Sequence, residues 1–405
     1  LGAMSFPDCA AEMAKHFVGD AMSKADLLTL CRDAYDFQIP LKTFGGDELD
    51  TAMTEEHEHF MLELFHGPTL AFKDFAARFM ARGVSHLLKG KNQKRTILVA
   101  TSGDTGGAIG YAFKDLPRVK VVILYPEGGV SQVQEQQLTT IGEHSNVRAL
   151  RVKGSFDDCQ ALVKQAFADE KMTKRFSLMS ANSINVGRVV PQSFYYFWTS
   201  LQLKAAYPKR PLVYAIPSGN LGNLTGGLMA KLMGAPIDRF VAGHNVNDPF
   251  VDYLQSGKYK PRPSVLTLSN AMDIGRPNNF PRITTLFGDD HKAVQDSCWG
   301  ASFSDAETER HMRRIYSTTG YVMCPHTTIG NLALQSFMRD VDQPVTQVTV
   351  STAHAGKFQS DVNRILREDL PLPAPLAELM SKTSHVQKIS NQLTDLESFL
   401  AGFAA

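Results

Sequence analysis

Arg95-Thr96-Ile97-Leu98-Val99-Ala100, followed at once by Thr101-Ser102-Gly103-Asp104-Thr105-Gly106-Gly107, is the stretch from which the fold class can be read. Four consecutive aliphatic residues bounded by a glycine-rich turn have the pattern of a short strand buried on both faces. The residues after the turn, about 105–114, have helical spacing. Residues 119–125, 147–152, 212–216 and 345–350 repeat the strand pattern, each separated from the next by helical periodicity. Strands rich in Val, Ile and Leu that alternate with helices predict an α/β fold with mostly parallel sheets covered by helices. Ahead of them, residues 5–37 carry apolar positions at helical spacing, with Ser23 placed as an N-cap, which predicts an amino-terminal helical segment. Residues 376–403 are also helical in pattern and are expected to pack outside the core. Leu1-Gly2-Ala3-Met4 is not a natural translation start and is set aside.

A chain of 405 residues exceeds the size at which a single hydrophobic core stops growing, so two or three lobes with a cleft are expected. A formal net charge of +1 offers no field for nucleic acid or an anionic membrane, which leaves a small molecule as the expected partner. The apolar runs are strand-sized, and a cytoplasmic location follows as the expectation. Cys9, Cys31, Cys159, Cys298 and Cys324 are odd in number and lack metal-binding spacing, so they are read as reduced and structural. Glu55-Glu56-His57-Glu58-His59 is read as a solvated charge run and not a metal site, because adjacent residues rarely converge on one ion. No metal is expected.

Two glycine clusters occupy equivalent strand-to-helix turns: the one around Gly103, and Pro217-Ser218-Gly219-Asn220-Leu221-Gly222-Asn223 after residues 212–216. Glycine lets backbone amides approach an oxyanion, and a helix amino terminus adds unpaired N–H groups and a dipole, so each turn suits a phosphate or carboxylate. Neither has the spacing of a nucleotide-binding loop. A tight turn needs glycine without any ligand, so a plain turn stays open for both. In Phe65-His66-Gly67-Pro68-Thr69-Leu70-Ala71-Phe72-Lys73-Asp74 a lysine stands among apolar side chains at the start of a predicted helix. Desolvation there lowers an amine's pKa, as imine formation or proton transfer requires. The alternative is a lysine that snorkels from an amphipathic helix.

The run at 65–74, the loops at 101–107 and 217–223, Asn182-Ser183-Ile184-Asn185-Val186-Gly187-Arg188, and Ser351-Thr352-Ala353-His354-Ala355-Gly356-Lys357-Phe358 stand in an order that resembles the threonine synthases. These belong to the pyridoxal-phosphate-dependent superfamily of fold type II. The resemblance spans residues 63–358 and, less distinctly, 6–37. It implies an α/β architecture of large and small domains: 1–60 as the helical segment, 61–92 with 182–375 as the large cofactor-binding domain, 93–181 as the small domain, and 376–405 as a helical tail. It further implies pyridoxal 5'-phosphate as cofactor, with Lys73 bonding its aldehyde and then moving protons. Gly219, Asn220, Leu221, Gly222 and Asn223 would cradle its phosphate, and Thr352 would stand near the pyridine nitrogen. Ser102, Gly103, Asp104 and Thr105 would meet the substrate carboxylate, while Asn182, Ser183 and Arg188 would hold the substrate phosphate. An N-cap role is weighed equally for Asp104, which stands where relatives carry asparagine. His354-Ala355-Gly356-Lys357 departs from the family's His-Pro-Ala-Lys, and the family's Ser-Thr-Arg-Gly segment is absent. His326 is read as pocket-lining or structural. The activity implied is that of a carbon-oxygen lyase making L-threonine from O-phospho-L-homoserine and water, in a monomer in preference to a dimer. A phosphohomoserine phospholyase or dehydratase is the alternative, and a non-catalytic cofactor-binding relative a more distant one.

Overall fold

The computed structural model describes residues 2–44, 58–141 and 145–403. Among the described residues, in chain order, lie β1 (Leu41–Thr43), β2 (Glu58–Glu63), β3 (Arg95–Ala100), β4 (Val119–Pro126), β5 (Val147–Val152), β6 (Leu178–Ser180), β7 (Leu212–Pro217), β8 (Arg239–His244), β9 (Cys298–Ser302), β10 (Thr346–Ser351) and β11 (Val386–Ile389). The chain divides into two compact units: Leu1–Phe72 with Val189–Leu370, and Lys73–Arg188 with Pro371–Ala405. These boundaries differ from those expected. The helix Lys73–Leu88 falls in the second unit, and neither the first 60 residues nor the last 30 stand apart.

The first unit is built on a sheet ordered β1-β2-β10-β7-β8-β9. Every pairing is parallel except β1 on β2. β7 and β10 are buried along their whole length, as strands covered on both faces must be. The amino-terminal helices Phe6–Val18 and Lys24–Ala34 belong to this unit. Ser5 and Ser23 cap them by accepting the backbone N–H of Asp8 and Asp26. Phe6 packs edge-on against Tyr35 and Trp198, with ring centroids 4.9 and 5.6 Å away, which explains why the pair is no free-standing segment.

The second unit carries an all-parallel sheet ordered β11-β5-β4-β3-β6. Alternate side chains divide between its faces. Ile97, Val99, Val121 and Ile123 pack with Ala108, Ile109 and Phe113. Leu98, Val122, Leu124 and Leu150 pack with Leu162, Phe176, Leu396 and Leu400. The carboxy-terminal segment is therefore corrected from an outer tail to part of the core. It contributes an edge strand, β11, and the helix Leu393–Phe403, whose Leu396 and Leu400 are fully buried.

Candidate active site

In the second unit Lys73 opens the helix Lys73–Leu88, whose Phe75, Ala76, Ala77, Met80 and Ala81 are buried. Its side chain is half-buried. Desolvation first, then repulsion from the Arg188 guanidinium, lowers its pKa from 10.5 to about 8, against an opposing pull from Asp104. Arg188 ends the 3-10 turn Val186–Arg188 and is buried, with Nη1 donating to the Ala181 carbonyl at 2.5 Å. Burial lowers its pKa to about 10, and the field of Asp74 opposes the fall. Lys73, Asp104 and Arg188, far apart in sequence, are thus coupled electrostatically.

The turn after β3 places the residues expected to face a carboxylate. Gly103 is the N-cap of the helix Asp104–Phe113 at φ 126°, and a Cβ there would sit 2.4 Å from Gln134 Cδ, so glycine is required. The N-cap role weighed for Asp104 therefore falls to Gly103. Asp104 instead accepts a hydrogen bond from Gln134 Nε2 at 2.9 Å. Thr101 Oγ1 accepts the N–H groups of Gly103 and Gly106 at 3.0 and 2.8 Å, which closes the turn. Ser102 and Thr105 remain partly exposed on it. Asn182 is tied to the end of β3: Nδ2 donates to the Ala100 carbonyl at 2.7 Å, and Oδ1 accepts the Ala100 N–H at 3.3 Å. Ser183 follows it, partly exposed.

In the first unit, the loop after β7 enters the helix Gly222–Leu232 through Leu221, a left-handed N-cap at φ 60° without a side-chain cap. A helix start of this kind presents backbone N–H groups and a positive dipole end to an anion. A Cβ on Gly219 would lie 2.6 Å from Met272 Cα, so only glycine fits against that backbone. Asn220 anchors the loop: its Oδ1 accepts the Asn278 N–H at 2.5 Å, and its carbonyl accepts Asn279 Nδ2 at 2.9 Å. Asn223 is 6% exposed. Its Oδ1 accepts the hydroxyls of Tyr195 and Tyr196 at 2.5 and 2.9 Å, while Nδ2 has no partner among the described residues. A buried donor left open beside an uncapped helix start fits a phosphate monoester.

Thr352 follows β10. Its N–H donates to Thr327 Oγ1 at 3.4 Å, and its carbonyl accepts the Phe72 N–H at 2.8 Å. The His354 N–H donates to the Leu70 carbonyl at 3.0 Å, Ala71 bridges Ala353, and the wholly buried Lys357 donates from Nζ to the Thr69 carbonyl at 2.8 Å. The segment leading to Lys73 is therefore sewn residue by residue to residues 352–357. The departure at Ala355-Gly356 leaves a 3-10 turn, Ala355–Phe358, in which His354 Nδ1 accepts the Gly356 N–H. His326 Nε2 accepts the Ala271 N–H at 3.2 Å, behind the Gly219 turn. Glu55, Glu56 and His57 lie outside the described residues, and His59 is buried with Nε2 2.9 Å from Thr349 Oγ1.

Sequence reasoning passed over Asp74, Thr101, Gln134, Tyr195, Tyr196 and Lys357. Asp74, Thr101 and Lys357 stood inside the quoted motifs, but nothing in their spacing announced their partners. The two tyrosines sat in an apolar helix, Pro191–Ala206, that reads as core.

Residues 49–352 match the family model described as pyridoxal-phosphate dependent enzyme, and residues 327–400 match the carboxy-terminal model of threonine synthase. The threonine synthase of Escherichia coli strain K12 is 42% identical over 375 residues, 93% of this chain and 83% of that one. The crystal structure of threonine synthase from Escherichia coli superposes with a TM-score of 0.87 at 37% identity, covering 99% of this chain and 89% of that one. The pyridoxal-phosphate-bound threonine synthase from Brucella melitensis superposes with a TM-score of 0.86 at 33% identity, again covering 99% and 89%.

Proposed function

The chain belongs to the threonine synthases, a family of pyridoxal-phosphate-dependent enzymes of fold type II, and from that premise we propose that it converts O-phospho-L-homoserine and water into L-threonine and inorganic phosphate. The observation that carries this reading is the pairing, in one unit, of an amine lowered to about 8 with a buried guanidinium that helps to lower it. A base and a phosphate-binding group are what this reaction asks of the protein.

When bound, pyridoxal phosphate supplies an aldehyde for an amine to condense with and a conjugated ring that spreads the charge left by a departing α-proton. Lys73 Nζ would be the amine held at that aldehyde, and as a free amine it would serve as the base for the Cα proton. Its lowered pKa keeps a useful fraction of free amine at neutral pH. Gly219, Asn220, Leu221, Gly222 and Asn223 would hold the phosphate through backbone N–H groups and the Asn223 amide. Thr352 would offer the pyridine nitrogen a neutral hydroxyl, a partner that does not enforce protonation as a carboxylate does. Ser102, Gly103 and Thr105 receive the substrate carboxylate at the start of the helix Asp104–Phe113. Asp104, engaged by Gln134, is turned into the hydrogen-bond network of that turn and tempers the field at Lys73. Arg188 binds the substrate phosphate before and after it leaves Cγ, with Ser183 beside it, and Asn182 sets the end of β3 from which the carboxylate turn starts. A proton leaves Cβ as the phosphate departs from Cγ, a proton returns to Cγ, water adds its hydroxyl at Cβ, and a proton is restored to Cα, so the atoms balance. The five cysteines are free and buried, which supports action in the reducing cytoplasm.

The test is product analysis. Purified protein incubated with O-phospho-L-homoserine and pyridoxal phosphate should yield L-threonine and phosphate, whereas 2-oxobutyrate and ammonia would establish the phospholyase reading.

A further inference from the structure

We propose that Tyr195 and Tyr196 are positioning residues for the cofactor phosphate, acting by fixing which end of the Asn223 amide faces it; the inference rests on the reading of residues 219–223 as the phosphate cradle. Both side chains are wholly buried on the helix Pro191–Ala206, and both hydroxyls reach the one oxygen, Asn223 Oδ1, at 2.5 and 2.9 Å. An amide oxygen has two lone pairs and accepts two donors, so the pair saturates it. The nitrogen, across Cγ from that oxygen, is thereby turned away from the tyrosines, and it is the buried Nδ2 that has no partner among the described residues.

The two orientations of the amide are far from equivalent. With the oxygen held by the tyrosines, the open end is an N–H₂ donor at the second position of the helix Gly222–Leu232, where the backbone also presents donors. In the reverse orientation the open end would be a carbonyl oxygen facing a dianion, and both phenol hydrogens would need other acceptors in a dry interior. Two phenols on one acceptor therefore select the orientation that binds phosphate before any ligand arrives, which is preorganisation of a recognition group.

The packing that delivers the phenols is itself built for close approach. A Cβ on Gly226 would lie 2.8 Å from Gln192 Cβ, and one on Gly227 would lie 2.7 Å from Phe240 Cε1 and 3.3 Å from Tyr196 Cε2. Gly226 and Gly227 thus let the helix Gly222–Leu232 lie close against Gln192 and Tyr196 of the helix Pro191–Ala206. Behind them Tyr214 OH pairs with Thr199 Oγ1 and Ser200 Oγ at 2.8 and 3.0 Å, a separate hydroxyl network on the same helix.

The test compares pyridoxal phosphate with pyridoxal, which has the aldehyde and lacks the phosphate, binding to apoenzyme. Tyr195→Phe and Tyr196→Phe should each weaken pyridoxal phosphate by roughly fivefold, and the double variant by more, from the ordinary value of a buried hydrogen bond. Pyridoxal affinity should stay within about twofold. The ³¹P resonance of bound cofactor should shift in the double variant. A general packing defect would weaken both ligands alike, so equal loss for the two overturns the proposal. In an Asn223→Ala background the two tyrosine substitutions should have no further effect on the affinity ratio, and a further loss there also overturns it. If Asn223→Ala itself leaves pyridoxal phosphate affinity unchanged, the cradle reading fails; if Asn223→Ala weakens it and the tyrosine variants do not, only the positioning role fails.

Discussion

The Lys73 amine should titrate near pH 8 in the apoenzyme. From an ordinary value of 10.5 to about 8, the local environment disfavours the ammonium by about 3 kcal/mol. At pH 7 that leaves about one amine in ten unprotonated, against about one in three thousand for an ordinary lysine, a gain of about 300-fold in reactive base. Desolvation contributes most of the fall, Arg188 adds to it, and Asp104 opposes it. Arg188→Met should therefore move the titration upward, and Asp104→Asn should move it further down. Pyridoxal is the suitable probe, because without a phosphate it reports the amine and not the cradle. The rate of its reductive trapping at Lys73, followed by peptide mapping from pH 6 to 11, should inflect near 8. The stability sign follows from the same values. Between about 8 and 10.5 the unfolded chain binds more protons at this site than the folded one, so Lys73 makes apoenzyme stability rise with pH across that window. A wild-type inflection near 10, or a downward move in Arg188→Met, would refute the electrostatic account.

Gly219→Ala should weaken pyridoxal phosphate by about tenfold or more in equilibrium dialysis, because the added Cβ meets the Met272 backbone, and shifting main chain costs about 1–3 kcal/mol. Lys357→Met should lower unfolding free energy by about 1.5–3 kcal/mol in urea titration and reduce turnover, since the Thr69 carbonyl loses a charged donor and the segment entering Lys73 loses a tie. Asp74→Asn should cost about 3 kcal/mol by thermal unfolding, because it removes a buried carboxylate whose field supports the buried Arg188 cation; an unchanged melting temperature would show that other groups compensate that charge.

What could be read in advance was whatever depends on near neighbours in the chain. Buried parallel strands repeat aliphatic residues within six positions, and β3, β5, β7 and β10 lie within a residue of where that pattern puts them. The turns at Gly103 and Gly219 were legible because the steric demand falls on glycine itself. β11 was not, because four residues inside a helically patterned tail carry too little signal, and their pairing with β5 is supplied by a strand more than two hundred residues earlier. The same limit hid groups that support the candidate site. Lys357 finds the Thr69 carbonyl 288 positions away, and the Tyr195 phenol finds Asn223 28 positions away across a helix contact. A tyrosine in an apolar helix looks like any core aromatic until the polar atom opposite its hydroxyl is known. Chemistry-bearing residues announce themselves by type and local spacing, whereas the groups that orient them are defined only by a partner brought near through folding. The orientation of Asn223, on whose Oδ1 two hydroxyls outside every motif converge, is therefore a part of the candidate site that a sequence pattern leaves undetermined.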